Sequence, residues 1–357
     1  MLIMVRYGEI SVKGHATRRR MENQLIRNIT CALKRKGLRH AGVTRTRGRI
    51  YVYIDDKGLE EALRALSRVF GIVSISPVIK TGFRSLEELA DKAVKLFASR
   101  VEGKAFRVRA RRTGTHPFTS KDAERILGAA LLSYARRVDL DNPDITVYVE
   151  IRGWDAYFYT DIIRGPGGLP LGTEDKLVAL FSGGIDSPVA AWRMMKRGAC
   201  VEPVLFMLSE GQVEGALKVA SLLYGDWGCG CDAGFHVVDY RPVREAIAGL
   251  KNKRIWNTLL RRLMLRGAEI LAEEIGAKGL VTGESLGQVS SQTLQNLLAA
   301  AYPIRLPIYR PLIGMDKDEI VAEARRIGTY ELSAKMCEAC VILPEKPTTR
   351  ARTEDID

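Results

Sequence analysis

Apolar residues along this 357-residue chain follow two different spacings. Up to Arg164 short strand-like and helix-like stretches alternate with many charges between them. Leu2–Tyr7 and Arg49–Ile54 read as strands, the second by its alternation. Residues 17–36 place Met21, Leu25, Ile29 and Leu33 on one helical face, and residues 59–69 repeat that spacing. Strand, helix, strand and helix in so short a span predict a small α+β layer over residues 1–75. Residues 76–168 predict a second one. Residues 85–99 have helical spacing, and residues 105–111 form a strand. Residues 120–138 predict a helix with Ser120 as its N-cap. Residues 146–151 and 156–163 predict a hairpin turning near Gly153. The breaker cluster Arg164-Gly165-Pro166-Gly167-Gly168-Leu169-Pro170 marks the main boundary.

Beyond Gly172 the pattern changes. Residues 176–181 form a continuous apolar run, as in a strand buried on both faces. Helix (188–197), strand (201–208), helix (212–224) and strand (235–239) follow. A helix at 257–275, a strand at 279–282 and a helix at 316–327 complete the series. Regular alternation predicts an α/β, doubly wound parallel sheet over residues 172–357, with ligands at the carboxyl ends of its strands.

Charge sharpens this division. The whole chain carries a net +13. Residues 1–171 hold 32 Lys+Arg against 18 Asp+Glu, whereas residues 172–357 hold 23 against 24. A basic half joined to a neutral one implies an anion-binding platform, for which nucleic acid is the usual partner. Arg107, Arg109 and Arg111 share one strand face, and Arg18, Arg19 and Arg20 open the first helix. Both are candidates for phosphate contacts, or else solvated faces. No apolar run approaches the roughly 20 residues of a membrane span. The short apolar start lacks a cleavage site. The chain is therefore read as cytoplasmic, with no membrane partner.

The chemistry concentrates in Ser182-Gly183-Gly184-Ile185-Asp186-Ser187. Two glycines between a buried strand and a helix let backbone amides surround an anion at the positive end of that helix. Ser182 and Ser187 add hydroxyls. Pro188 suits the first helical position. Asp186, a carboxylate beside phosphates, fits where Mg²⁺ bridges the two. The bland alternative is a tight strand-to-helix turn.

This hexapeptide matches the PP-loop of the ATP pyrophosphatase superfamily, whose members cleave ATP between the α and β phosphates. Together with Thr282-Gly-Glu-Ser-Leu-Gly-Gln-Val-Ser-Ser-Gln-Thr293, Arg310-Pro311-Leu312, Lys317 and Cys340, it closely resembles the tRNA 4-thiouridine synthetase (tRNA sulfurtransferase) family. The resemblance implies a ferredoxin-like domain (1–75), a THUMP RNA-binding domain (76–168) and a PP-loop catalytic domain (172–357). It implies ATP contacts at Leu180, Phe181, Ser182, Gly183, Gly184, Asp186, Ser187, Arg261, Gly283 and Gln292. Asp186 would be essential for adenylation, and Lys317 would assist at the phosphates. Uridine 8 of tRNA would receive sulfur at O4, and some members also supply sulfur for thiamine thiazole synthesis. A homodimer is admitted.

The resemblance places sulfur handling at Cys340, which lies 17 residues before the end of the chain. Family members with a rhodanese domain use this position to resolve a persulfide. Three arrangements stay open. Cys340 carries or attacks a persulfide, with Cys337 resolving it. Alternatively, Cys337 and Cys340 hold an iron–sulfur cluster completed by Cys229 or Cys231. The third is a structural zinc site made by all four. The sulfur donor is a cysteine desulfurase persulfide or free sulfide. Cys31 and Cys200 read as packing residues. Two rivals remain: a PP-loop synthetase or amidotransferase acting on a small molecule, and a non-catalytic RNA-binding protein.

Overall fold

A computed structural model describes residues 1–38, 40–46, 48–336 and 347–355. Chain contacts divide it into two compact units. One holds residues 1–7, 33–67 and 72–165; the other holds 8–32, 68–71 and 166–357. The division passes through the long helix α1 (His15–Arg35), most of which belongs to the second unit.

The first unit is built on a nine-stranded sheet. Its strands are β1 (Leu2–Tyr7), β2 (His40–Thr46), β3 (Arg49–Ile54), β4 (Ile72–Gly82), β5 (Ala105–Thr113), β6 (Arg137–Val138), β7 (Ile145–Arg152), β8 (Asp155–Tyr159) and β9 (Ile163–Arg164). They run in the order β2-β3-β1-β4-β8-β7-β5-β6, with β9 also on β4. Helices α2 (Leu59–Leu66), α3 (Leu86–Val101) and α4 (Ser120–Leu132) belong to the same unit. Val147, Val149 and Ile151 alternate onto the sheet face that packs against Leu89, Ala93 and Phe97 of α3 and Leu127 of α4. Strand β4 runs unbroken across residues 75 and 76, where the sequence suggests a boundary. Its residues 72–78 pair with β1 and residues 79–82 with β8.

Two local expectations change here. Thr119, not Ser120, caps α4: its hydroxyl accepts from Asp122 N at 3.2 Å, and the Asp122 carboxylate accepts from Thr119 N at 2.8 Å. This reciprocal pair satisfies two end donors, which outweighs the choice of the neighbouring serine. The helix stops at Leu132 instead of reaching Val138, because Arg137–Val138 pairs in parallel with Ala105–Phe106.

The second unit is the doubly wound layer. Strands β10 (Glu174–Leu180), β11 (Ala199–Met207), β12 (His236–Asp239), β13 (Leu280–Val281) and β14 (Ile308–Tyr309) are all parallel, in the order β12-β11-β10-β13-β14. Its helices are α5 (Asp186–Met195), α6 (Gln212–Trp227), α7 (Arg241–Ala248), α8 (Trp256–Ile275), α9 (Leu294–Ala301), α10 (Lys317–Ile327) and α11 (Tyr330–Ser333). One sheet face packs Phe181, Trp192, Leu223 and Ile320 together; the other packs Val178, Val204 and Leu265. Burial on both faces explains the unbroken apolar run of β10. The chain winds outward through β11 and β12, then returns to lay β13 on the other side of β10. The loops after β10 and β13 therefore diverge at a switch point, the usual place for a ligand.

Candidate active site

Phe181 leaves β10 buried, its N–H donating to Val204 O at 2.8 Å. Half-buried Leu180 precedes it. The chain then turns through Ser182–Ile185 into α5. Gly183 has φ +78°, and a Cβ there would lie 2.7 Å from Ala216 Cα of α6. Glycine is required on both counts. Ser187 Oγ accepts from Ser182 N at 3.2 Å, and Ser182 Oγ accepts from Gly184 N at 3.3 Å. These bonds shape the loop. Helix α5 begins at Asp186, so Pro188 is its third residue and not its first. Proline is accepted there because no first-turn N–H has an intrahelical partner.

Asp186 sits at the head of this helix, gripped from two sides. Lys317 Nζ donates to one carboxylate oxygen at 2.6 Å and Gln288 Nε2 to the other at 3.0 Å. Lys317 opens α10, whose start is fixed by a reciprocal cap between Asp316 and Glu319. Arg193 of α5 bonds Glu323 of α10, Nε to Oε2 at 2.8 Å, and holds the two helices together. Gly283 brings the loop after β13 against the start of α5: a Cβ there would meet Asp186 C at 2.9 Å and Ser187 N at 3.0 Å. Folding thus gathers residues 182–187, 283, 288 and 317 in one place.

Beside them lies a second charged group. Arg261 of α8 donates through one terminal nitrogen to Glu284. Arg310 Nε and Thr282 Oγ1 donate to the other Glu284 oxygen at 2.6 and 2.9 Å. Burial alone would raise the Glu284 pKa, but the two guanidiniums outweigh it and hold it below the ordinary glutamate value. Gln292, in the turn Ser290–Gln292, is buried, and its Oε1 has no partner among the described residues. Sequence reading named Arg261, Gly283, Gln292 and Lys317 but gave Gln288 and Glu284 no role. The available signal was their place inside the Thr282–Thr293 segment.

The cysteines separate. Cys337 and Cys340 lie outside the described residues. Cys200, expected to be a packing residue, instead forms a disulfide with Cys231, their Cα atoms 5.6 Å apart. Cys231 is therefore not available as a cluster ligand. The strand register places Cys200 beside Lys176, four residues before the level of Leu180 and Val204. Four residues span roughly 13 Å, so Cys231 sits toward the sheet end opposite the glycine loop. Cys229, two residues away in the chain, is buried. Among the described residues no group of three or more His, Cys, Asp or Glu could hold a metal ion.

The arginines also differ. Arg107 is half-buried and committed, donating to Thr146 Oγ1 at 3.0 Å and Leu140 O at 2.8 Å. Arg109 and Arg111 of β5 are exposed. Arg18, Arg19 and Arg20 lie in the first two turns of α1, in the part that belongs to the second unit, with Arg19 and Arg20 exposed. No helix among the described residues is long and apolar enough to cross a membrane.

A parallel switch-point sheet whose first strand runs through a glycine loop into a helix, with Asp186 at its head, defines a PP-loop domain of the ATP pyrophosphatase class. Residues 172–357 match the family profile described as thiamine biosynthesis protein (ThiI). Residues 2–76 match the ThiI ferredoxin-like domain and residues 83–161 the THUMP domain. The chain belongs to the tRNA sulfurtransferase family, and is an enzyme of that kind. It is 45% identical to the probable tRNA sulfurtransferase of Aeropyrum pernix, over 98% of this chain and 89% of that one. With the tRNA sulfurtransferase of Pyrobaculum aerophilum identity is 44%, over 100% and 72%. A crystal structure of a 4-thiouridine synthetase–RNA complex with bound ATP superposes with a TM-score of 0.83, at 35% identity, covering 99% of this chain and 92% of that one. PH1313 from Pyrococcus horikoshii gives 0.72 at 29% identity, covering 92% and 99%.

Proposed function

We propose that this enzyme uses ATP to adenylate O4 of uridine 8 in tRNA and then replaces that oxygen with sulfur, giving 4-thiouridine. The observation that carries the reading is Asp186 at the head of α5, held by both Lys317 and Gln288. A carboxylate at the positive end of a helix, beside a glycine loop whose amides can meet an anion, suits a site where phosphates and Mg²⁺ arrive together. Asp186 would ligate Mg²⁺, which would neutralise phosphate charge. Lys317 then exchanges its partner, from the carboxylate to a phosphate oxygen. Gly183 and Gly184 let loop amides approach the pyrophosphate as it leaves.

O4 of the uracil attacks the α phosphorus and pyrophosphate departs. A sulfur nucleophile then adds at C4 and AMP leaves with the original oxygen. Cys340 is the proposed carrier of a persulfide received from a cysteine desulfurase: its outer sulfur bonds C4 as AMP leaves, and Cys337 then attacks Cys340 Sγ, breaking that S–S bond so that the outer sulfur stays on the uridine and a Cys337–Cys340 disulfide is left for a thiol reductant to reopen. The described flanks of that segment support the assignment. Met336 packs its sulfur on Gly215, the neighbour of Ala216, which itself backs Gly183. On the far side, Thr349 O accepts from Thr293 Oγ1 at 2.7 Å, one residue past Gln292. tRNA is the proposed partner, through the basic half of the chain and by shape. Sulfur supply to thiamine thiazole synthesis is a second outlet in keeping with the family description.

Nucleoside mass analysis of tRNA incubated with the protein, ATP, Mg²⁺, a thiol reductant and a cysteine desulfurase with cysteine as the persulfide source tests the reading. We expect 4-thiouridine at position 8 only when ATP is present. Pyrophosphate exchange stimulated by a small acid and indifferent to tRNA would overturn it.

A further inference from the structure

We infer that Glu284 is a positioning residue for the nucleotide: a buried carboxylate that holds Arg261 and Arg310 as a preset pair of guanidiniums facing ATP. The inference rests on the proposed ATP reading and deepens it.

Three observations carry it. Glu284 is almost fully buried, and both its oxygens are used: one by Arg261, the other by Arg310 Nε and Thr282 Oγ1. The two arginines come from distant parts of the chain, Arg261 from α8 and Arg310 from the segment after β14. One carboxylate against two guanidiniums leaves one positive charge unneutralised. Moreover, Arg310 keeps a terminal nitrogen that is buried and has no partner among the described residues. A buried donor left unpaired is costly, and retaining one is the signature of a group waiting for an acceptor. Four and eight residues after Glu284, Gln288 and Gln292 each keep a buried side-chain oxygen with no donor among the described residues. Gln288 already reaches Asp186 through its nitrogen.

The geometry also explains why a purely structural ion pair is a poor account. A stabilising pair saturates its partners, whereas this one leaves part of the second guanidinium unbonded. A buried ion pair replaced by apolar residues is often neutral for stability. Function is the better reason to keep a three-member charged group beside the glycine loop. Arg261 was expected at ATP by resemblance alone; Glu284 supplies the physical cause of its orientation. A guanidinium can bond a carboxylate and a phosphate at once through different nitrogens.

The test compares ATP saturation curves and thermal midpoints for the full-length wild type, Glu284→Gln, Glu284→Asp and Arg310→Met. Removing a charge-assisted hydrogen bond from a nucleotide changes affinity roughly 10- to 100-fold. Glu284→Gln and Arg310→Met should each raise KM for ATP by about that factor, with kcat within about threefold of wild type. Glu284→Asp should recover part of the loss. The double variant should be no worse than the poorer single one, because both act through one network. An unchanged KM in folded Glu284→Gln and Arg310→Met, with only a lowered thermal midpoint, would overturn the inference. Should Glu284→Gln fail to fold, Arg310→Met alone decides, since Arg310 is part-exposed. A wild type that shows no ATP saturation would instead remove the parent reading, and the inference with it.

Discussion

The two ends of the parallel sheet are built to different rules. At the end where β10 meets α5, polar groups crowd together and several stay unsatisfied. Asp186 is shared by Lys317 and Gln288, and Glu284 by two arginines, yet Gln288, Gln292 and Arg310 each keep a buried atom with no partner among the described residues. At the opposite end the groups satisfy one another. Cys200 is joined to Cys231. Asn28 of α1 donates to Leu171 O at 2.9 Å, and a Cβ at Gly230 would collide with the Asn28 side chain. One end is closed and cross-linked; the other retains bonding capacity. Unpaired buried groups cost stability, so the three on the segments beside Asp186 and Glu284 point to a ligand that completes them.

The largest effect should come from Asp186→Ala. It removes the carboxylate that orders Lys317 and Gln288 and that would carry Mg²⁺. Thiolation should fall by at least about 10³-fold, a loss in the range of an electrostatic catalytic group. A filter-binding assay should show tRNA affinity within about twofold of wild type. Thiolation at the wild-type rate would end the assignment of this end of the sheet as the reaction site.

Cys200→Ser examines the closed end. The disulfide closes a loop across 31 residues of separation. Such a cross-link contributes about 2–4 kcal/mol, mainly by restricting the unfolded chain. For a unit of this size that corresponds to a thermal midpoint lower by roughly 5–15 °C under non-reducing conditions. Calorimetry with reductant should bring wild type down to the variant. The comparison predicts that kcat for thiolation at moderate temperature stays unchanged. A variant that keeps its thermal midpoint but loses thiolation would reverse the roles of the two ends.

Gly183→Ala should have a smaller effect, at the loop itself. The added methyl meets the Ala216 backbone in a conformation with φ +78°. Strain of this kind costs about 1–3 kcal/mol. ATP affinity by calorimetric titration should weaken roughly 10-fold, with the midpoint lower by a few degrees. Gly184→Ala is its control, because the nearest atom to a Cβ at Gly184 is Ser182 Oγ at 3.5 Å. Equal losses in both variants would show that the loop is not shaped by its packing on α6.

What could be read from the sequence follows the range of each interaction. Ser182–Ser187 is legible because its function is local: glycines, hydroxyls and a carboxylate within six residues. The parallel sheet is legible for a similar reason, since burial on both faces writes continuous apolar runs. Lys317 on its own is an ordinary lysine at a helix start. It acquires meaning only when α10 is docked on α5 by Arg193 and Glu323, an interaction across 130 residues. The pairing of Cys200 with Cys231 was equally invisible, because it depends on how β11 and the loop after α6 meet. The same applies to β4, whose two halves pair with partners far apart in the chain. Arg107, Arg109 and Arg111 were grouped by strand alternation, which records the face of a residue but not whether its charge is already engaged.

That last distinction carries the contrast into the first unit and yields the smallest expected effect. Arg107 is committed to Thr146 and Leu140, whereas Arg109 and Arg111 are exposed on the same strand. If unengaged groups mark ligand contacts there as well, the pair Arg109→Gln and Arg111→Gln should weaken tRNA binding a few-fold. Each lost phosphate contact should also reduce the slope of log affinity against log salt by about 1. Arg107→Gln should leave the slope unchanged while lowering the thermal midpoint slightly, because it breaks two internal hydrogen bonds. Binding measured from low to moderate salt separates the two cases. If Arg107→Gln changed the slope and the exposed pair did not, bonding capacity would not be the mark of function on this strand, and the strand alternation would have grouped the three correctly for a different reason.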